Sequence, residues 1–254
     1  SRAIMTTDTF VKEVCARVSI NGKTVVISGT AKGAGMLAPQ LKVATMLAFL
    51  ATDARMEQAA LDDALKQAVD ESFNAITVDA CMSTNDSVIV MANGMAGHGL
   101  IRRGTPEAKI FAGALKKVCV ALAQMICKDG EGATKFIAIR VAGARTAAEA
   151  KELAFSVANS NLFKCAMFGC DPNWGRIAAA LGSIPSSLDA QKLDIVLNGR
   201  AVFKKGRPIA VASNSFLKKR DISVDIDIHQ GRAQAIVYTT DLSYGYVRIN
   251  ADYN

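Results

Sequence analysis

Residues 45–52 read Thr-Met-Leu-Ala-Phe-Leu-Ala-Thr, and the way this stretch is read decides the fold. Periodicity cannot separate a buried strand from a buried helix in so short an apolar run. Its eight residues and the lack of a helix cap favour a strand covered on both faces. The neighbours fit that choice. Upstream, Val14, Ala16, Val18 and Ile20 alternate onto one face, Asn21-Gly22 supplies a turn, and Thr24–Ser28 returns as a partner strand. Downstream, residues 56–73 place Ala60, Leu61, Ala64, Leu65, Ala68, Val69 and Phe73 on one helical side. Ala75–Asp79 and Ser87–Ala92 are read as two further strands. Thr105-Pro106-Glu107 opens a helix, with proline at the first helical position, that runs to Lys128 and stops at Asp129-Gly130.

The second half repeats the theme of helix over sheet. Phe136–Val141 is read as a strand. Thr146 to Asn159 is an amphipathic helix with the capping-box spacing Thr146–Glu149. Residues 171–183 hold a short capped helix, and Leu193–Leu197 with Val202-Phe203 form a hairpin about Asn198-Gly199. Ile222, Val224, Ile226 and Ile228 alternate, Gln230-Gly231 turns, Ala233–Tyr238 returns, and Tyr244–Ile249 is read as a last strand. The pattern is α+β or mixed α/β, with helix pairs over extended sheet. No repeat, low-complexity linker or domain boundary is visible.

Composition limits the function classes. The 254 residues carry 30 Lys+Arg and 23 Asp+Glu, a net charge of +7, and half are hydrophobic, which excludes disorder. No uninterrupted apolar run approaches the roughly 18 residues of a membrane helix. The basic clusters Lys204-Lys205-Gly206-Arg207 and Lys218-Lys219-Arg220 are short, lack interleaved aromatics and read as solvated loops, so neither nucleic acid nor membrane is expected as a partner. The six cysteines are scattered with no CxxC, which reads as reduced, cytosolic thiols without a metal cluster. No signal peptide is visible after Ser1.

The common catalytic signatures are missing: there is no HExxH, no GxSxG and no dinucleotide fingerprint. His98, among glycines, and His229, at a strand end, give no support for a Ser-His or Cys-His device. What remains is a set of Gly- and Thr-rich passages. Glu131, flanked by Gly130 and Gly132, has two readings: backbone that lets a ligand come close, or a turn after a helix end.

Those passages, taken in order, carry a resemblance. Ile4-Met5-Thr6-Thr7-Asp8-Thr9, Lys32-Gly33-Ala34-Gly35-Met36, Ala44-Thr45-Met46-Leu47, Ser83-Thr84-Asn85-Asp86, Asp129-Gly130-Glu131-Gly132-Ala133-Thr134-Lys135, Asp171-Pro172-Asn173-Trp174-Gly175-Arg176 and Tyr246-Val247-Arg248-Ile249-Asn250-Ala251-Asp252-Tyr253 resemble the ornithine acetyltransferase family. The family comprises bifunctional glutamate N-acetyltransferases of arginine biosynthesis. The resemblance implies a layered helix-sheet-sheet-helix sandwich of N-terminal-nucleophile type. It implies transfer of an acetyl group from N-acetylornithine to glutamate in the cytoplasm, with no metal or resident cofactor and with acetyl-CoA as a co-substrate of some members.

It further implies a precursor that cuts itself between Ala44 and Thr45. Residues 1–44 then end the α chain and 45–254 form the β chain, assembled as α2β2. Thr45 becomes the nucleophile, and Thr6, Lys32, Thr45, Glu131 and Asn250 fall where the family contacts substrate. Lys32 suits an α-carboxylate and Glu131 suits the ornithine amine. The upstream part of the family's α chain, with a Thr-Gly pair for the oxyanion, is not in the sequence, so 1–254 is expected to be either a fragment of the protein or an incomplete copy. Asp79-Ala80-Cys81-Met82-Ser83 replaces a Gly-Asp-containing loop, and Asn254 stands where the family continues with a hydroxyl ligand. Two rival readings are a self-processing aminopeptidase or amidohydrolase and a non-catalytic assembly protein.

Overall fold

In the computed structural model, residues 1–37, 46–83, 85–185 and 188–252 are described. They form two compact units, Ser1–Ile76 with Ala80–Asp129, and Thr77–Asp79 with Gly130–Asn254. The boundary at Asp129-Gly130 follows the end of a long helix with no change in composition, and so left no trace in the sequence. The expected division at 44/45 lies outside the described residues.

In the first unit, β1 (Lys12–Ile20) and β2 (Lys23–Lys32) form the expected hairpin. Asn21 and Gly22 both adopt positive φ, 49° and 73°, which is why this turn takes Asn-Gly. The deciding stretch is a strand: β3 (Leu47–Thr52) pairs antiparallel with β2 and parallel with β4 (Ser87–Ala92). Helix α1 (Gln58–Asp70) makes the β3–β4 crossover. Helix α2 (Pro106–Lys128) starts on the Thr105 side chain, which accepts from Ala108 N–H. By length and composition α2 could cross a membrane. It is the core helix of this unit: Phe111, Leu115, Val118, Leu122 and Ile126 are buried, and α2 packs on α1, β1 and β2. The expected strand Ala75–Asp79 is instead a 3-10 turn at Phe73–Ala75 followed by bends. Within it Ile76 is a bridge residue and Thr77 N–H donates to Tyr238 O at 2.9 Å.

The second unit holds β5 (Phe136–Ala144), β6 (Asp194–Leu197), β7 (Arg200–Lys204), β8 (Arg207–Pro208), β9 (Asp221–Asp227) and β10 (Ala233–Thr240), in sheet order β10-β5-β9-β6-β7-β8. The sequence suggested that β9 and β10 form a hairpin. They do not pair: β5 lies between them, parallel to β9 and antiparallel to β10. Helices α3 (Ala147–Ala158), α4 (Asn161–Phe168) and α5 (Trp174–Gly182) supply Leu153, Val157, Phe163, Met167 and Ile177 to a core completed by Ile137, Ile139, Val224 and Ile226. Helix α4, capped by Ser160, escaped the sequence reading. The segment read as a last strand, Tyr244–Ile249, is a helix, α6 (Tyr244–Ala251): the Ser243 hydroxyl accepts from Gly245 and Tyr246 N–H and starts it. Overall the class is the α+β expected. None of the six cysteines forms a disulfide, and among the described residues no three His, Cys, Asp or Glu side chains gather as metal ligands.

Candidate active site

The first unit gathers two of the predicted binding passages onto one carboxylate. Asp8 Oδ1 accepts from Gly33 N–H at 2.8 Å and Asp8 Oδ2 from Thr6 N–H at 3.1 Å, so Thr6 and the backbone next to Lys32 are tied to the same side chain. That carboxylate is itself anchored. Lys12 Nζ lies 2.5 Å from Asp8 Oδ1 and 2.5 Å from Asp129 Oδ2, with all three side chains at 0–2% exposure. Asp129, at the end of α2, also takes the Thr9 N–H at 2.9 Å and the Thr9 hydroxyl. Burial pushes the Asp8 carboxyl up, but the Gly33 N–H, Lys12 and the Thr6 N–H outweigh it and hold it below the ordinary range. Thr6 itself is exposed, while Lys32, the last residue of β2, is buried.

Lys32 shares its surroundings with Asp86. Asp86 Oδ1 accepts from Met46 N–H, and Asp86 Oδ2 is buried with no hydrogen-bond partner among the described residues. Burial pushes this carboxyl up to about 6, against the Met46 N–H and the charge of Lys32, which pull the other way. Thr45 and Ala44, the predicted nucleophile and cleavage partner, lie outside the described residues, as do Thr84 and Asn254.

The second unit brings Glu131 and Asn250 together. Asn250 Nδ2 donates to Glu131 Oε2 at 3.0 Å and to Tyr246 O at 3.1 Å, so the amide at the end of α6 holds the carboxylate of the glycine-flanked loop. The loop follows a helix end, as the turn reading has it, and its backbone lies close to α6. Gly132 has φ +66°, and a Cβ there would stand 2.1 Å from Tyr246 N. Ser243 Oγ donates to Gly132 O at 2.5 Å. Asp241 accepts from Thr134 N–H and Lys135 N–H at 2.8 and 2.9 Å, and from the Thr134 hydroxyl. Tyr246 Oη donates to Asp79 Oδ2 at 3.3 Å. The Asp171–Arg176 passage is structural: Asn173 caps α5 and Trp174 stacks on Phe203 with centroids 4.5 Å apart.

Sequence reasoning missed Asp8, Lys12 and Asp129 as one unit, and also Asp86, Asp241 and Ser243. Asp8, Asp86 and Asp129 stood in the quoted passages, but no spacing rule joins Lys12 to a residue 117 positions away. His98 is engaged, its Nε2 taking Arg55 N–H at 3.3 Å, and His229 pairs with Asp194.

The fold defines an α+β protein of two compact units, each built of helices on a mixed sheet. The model of the ArgJ family matches residues 1–254, and the chain belongs to that family. The arginine biosynthesis bifunctional protein ArgJ of Symbiobacterium thermophilum is 46% identical over 256 residues, covering all of this chain and 63% of its own length. That of Desulfotalea psychrophila is 48% identical over 260 residues, covering all of this chain and 65% of its own. This chain thus spans just under two thirds of the length of these relatives. The crystal structure of arginine biosynthesis bifunctional protein ArgJ from Bacillus halodurans is 37% identical with a TM-score of 0.78, covering 81% of this chain and 98% of that one.

Proposed function

We propose that the protein containing these residues is a glutamate N-acetyltransferase of arginine biosynthesis, moving acetyl from N-acetylornithine to glutamate through an acetyl ester of Thr45. The observation that carries this reading is the family match over the whole chain. A threonine hydroxyl is a weak nucleophile at neutral pH and needs a base. Both histidines of the chain are engaged elsewhere, so the base is the α-amine of Thr45, freed by cleavage after Ala44. An α-amine titrates near pH 8, close to working pH. The hydroxyl attacks the acetyl carbonyl, ornithine leaves, and glutamate takes the acetyl group in a second half-reaction. Ornithine and glutamate share an α-carboxylate, the partner of Lys32, with Thr6 beside it. The ornithine amine is the partner of Glu131, whose carboxylate Asn250 aims.

Cleavage before Thr45 gives an α chain ending with residues 1–44 and a β chain of 45–254, assembled as α2β2 in the cytoplasm. In support, 81% of this chain accounts for 98% of the Bacillus halodurans chain, a length close to that of residues 45–254. The test is intact mass and acetyl transfer for the complete gene product carrying Thr45→Ala or Thr45→Ser. Thr45→Ala stays in one piece and transfers nothing, whereas Thr45→Ser, which keeps the hydroxyl, cleaves and retains transfer. A Thr45→Ala protein that splits before residue 45, or that transfers acetyl, overturns the reading.

A further inference from the structure

The Lys12 side chain is buried, and its ammonium is shared between Asp8 and Asp129 at 2.5 Å each, with the Phe10 ring centroid 5.1 Å away. Two acids and one base leave this buried cluster net negative, which is costly unless the remaining carboxylate lone pairs are hydrogen-bonded. Asp129 spends its own on Thr9. Asp8 spends its own on Gly33 N–H and Thr6 N–H, one at each oxygen. All of these residues belong to the first unit. The β1–β2 hairpin explains the meeting. Lys12 opens β1 opposite Ala31, next to Lys32, so the residues before Lys12 run past the end of β2. Gly33 follows Lys32 with φ +144°, a conformation that residues with side chains rarely adopt, and its N–H reaches Asp8. Residues 6–11 belong to no helix or strand, so no ladder fixes Thr6 in place of Asp8.

We infer that Asp8 is a positioning residue: its one carboxylate fixes Thr6 and the strand end at Lys32 relative to each other, and so shapes the subsite for the α-carboxylate that ornithine and glutamate both present. The inference rests on the proposed acetyl transfer and on the contacts assigned there to Thr6 and Lys32, and it adds the residue that sets their spacing. Asp8 itself touches neither substrate. The carboxyl lies below the ordinary range, so both of its oxygens are acceptors at working pH. A carboxamide cannot hold both donors. In place of Asp8, its oxygen keeps Gly33 N–H and Lys12 at the Oδ1 position, and its NH2 then faces Thr6 N–H, donor against donor. Asp8→Asn therefore releases Thr6 and leaves the strand end held. Lys12 keeps Asp129 as its counter-ion, so no buried charge is left unpaired.

The experiment is steady-state kinetics of the complete gene product, each substrate varied at saturating levels of the other, in wild type, Asp8→Asn, Thr6→Ala and the double variant. Asp8→Asn raises KM for N-acetylornithine and for glutamate alike, about tenfold, with kcat within about threefold of wild type. In the Thr6→Ala background the same change adds less than about twofold, because the residue it acts through has lost its side chain. An Asp8 that only held the fold together would penalise both backgrounds equally. Equal penalties, a rise for one substrate alone, or an unchanged KM overturns the inference. If Asp8→Asn fails to fold, the wild type decides by residue-resolved amide hydrogen exchange. Saturating ornithine then slows Thr6 N–H and Gly33 N–H together, and slowing at one alone or at neither overturns the inference. A wild type that transfers acetyl leaves the parent reading standing whatever the Asp8 variants do. A wild type that transfers none, or a Thr45→Ala that does, overturns that reading and this one with it.

Discussion

In the first unit the residues read as substrate contacts hang from buried charge. Thr6 and the backbone beside Lys32 are tied to Asp8, which is fixed by Lys12 and, through it, by Asp129. In the second unit Glu131 is placed without a buried ion pair. A loop whose Gly132 admits no side chain lies against α6, and Ser243, Asp241 and Asn250 pin it with hydrogen bonds. The two solutions fail differently. A buried ion cluster is costly to break because the surviving charges cannot find water. A close-packed backbone contact is costly to enlarge, but each of its hydrogen bonds is worth little alone.

The largest effect is therefore expected at Lys12. Lys12→Met leaves Asp8 and Asp129 buried without their cation, which should cost about 3–5 kcal/mol. The shift in the urea midpoint by circular dichroism measures it. A loss below about 1 kcal/mol, the worth of an exposed pair, would mean that the cluster is dispensable and that the contrast between the units is not one of charge.

Next comes Gly132→Ala. The new Cβ would meet the backbone of Tyr246 at a left-handed φ, so strain alone should cost about 1–3 kcal/mol. Relief requires the loop to move off α6 and takes Glu131 away from Asn250. Denaturation together with the KM for N-acetylornithine separates this from a neutral change. Unaltered stability and KM would show that the approach of loop and helix positions nothing.

These contacts also show what the sequence could and could not reveal. The hairpin at Asn21-Gly22 and the start of α2 at Thr105-Pro106-Glu107 were legible because their determinants are local: a turn that needs positive φ, a cap and a proline. Helix α6 was not. None of its residues is buried, so it carries no apolar stripe, and its tyrosines and β-branched residues imitate a strand. What makes it helical is Ser243, and what makes it useful is contact with a loop more than 100 positions earlier. The separation of β9 from β10 was hidden for the same reason, since alternation looks alike whether a strand pairs with its neighbour or with β5. Of the site, Thr6, Lys32, Glu131 and Asn250 came from resemblance to a family. The residues that hold them came only from the fold, because pairing at a distance leaves no spacing to read.

The third prediction sharpens the part played by the second unit. Glu131→Gln keeps the shape and an acceptor for Asn250 but removes the charge that suits the ornithine amine. Losing a charge-assisted bond costs about 1.5–3 kcal/mol, so the KM for N-acetylornithine should rise about ten- to a hundredfold, and that for glutamate much less. Equal losses for both substrates in steady-state kinetics would make Glu131 a structural residue of the loop.

The smallest effect compares two carboxylates within the first unit. Asp8, held by Lys12 and two N–H groups, lies below the ordinary range; Asp86 is pushed up to about 6. A lowered carboxyl gives stability that is present above its unfolded value of 3.8 and lost as pH falls through the folded one. A raised carboxyl does the reverse. The folded state keeps the Asp86 proton after the unfolded chain has released it, so the stabilisation is complete below 3.8 and lost as pH rises through about 6. Above that pH the wild type carries a partly desolvated charge. The rise from 3.8 to about 6 sets a ceiling of about 3 kcal/mol on its cost, and partial solvent access reduces this to about 1–2 kcal/mol. Asp86→Asn should thus melt roughly 2–6 °C above wild type at pH 8 and level with it at pH 4. Asp8 is present in both proteins, so its own titration cancels in the difference. A variant that melts below wild type at pH 8 would show that the Asp86 charge is welcomed where it sits. Asp86 would then belong with Asp8, as a carboxylate that holds the fold together, and not apart from it as one whose charge burial opposes.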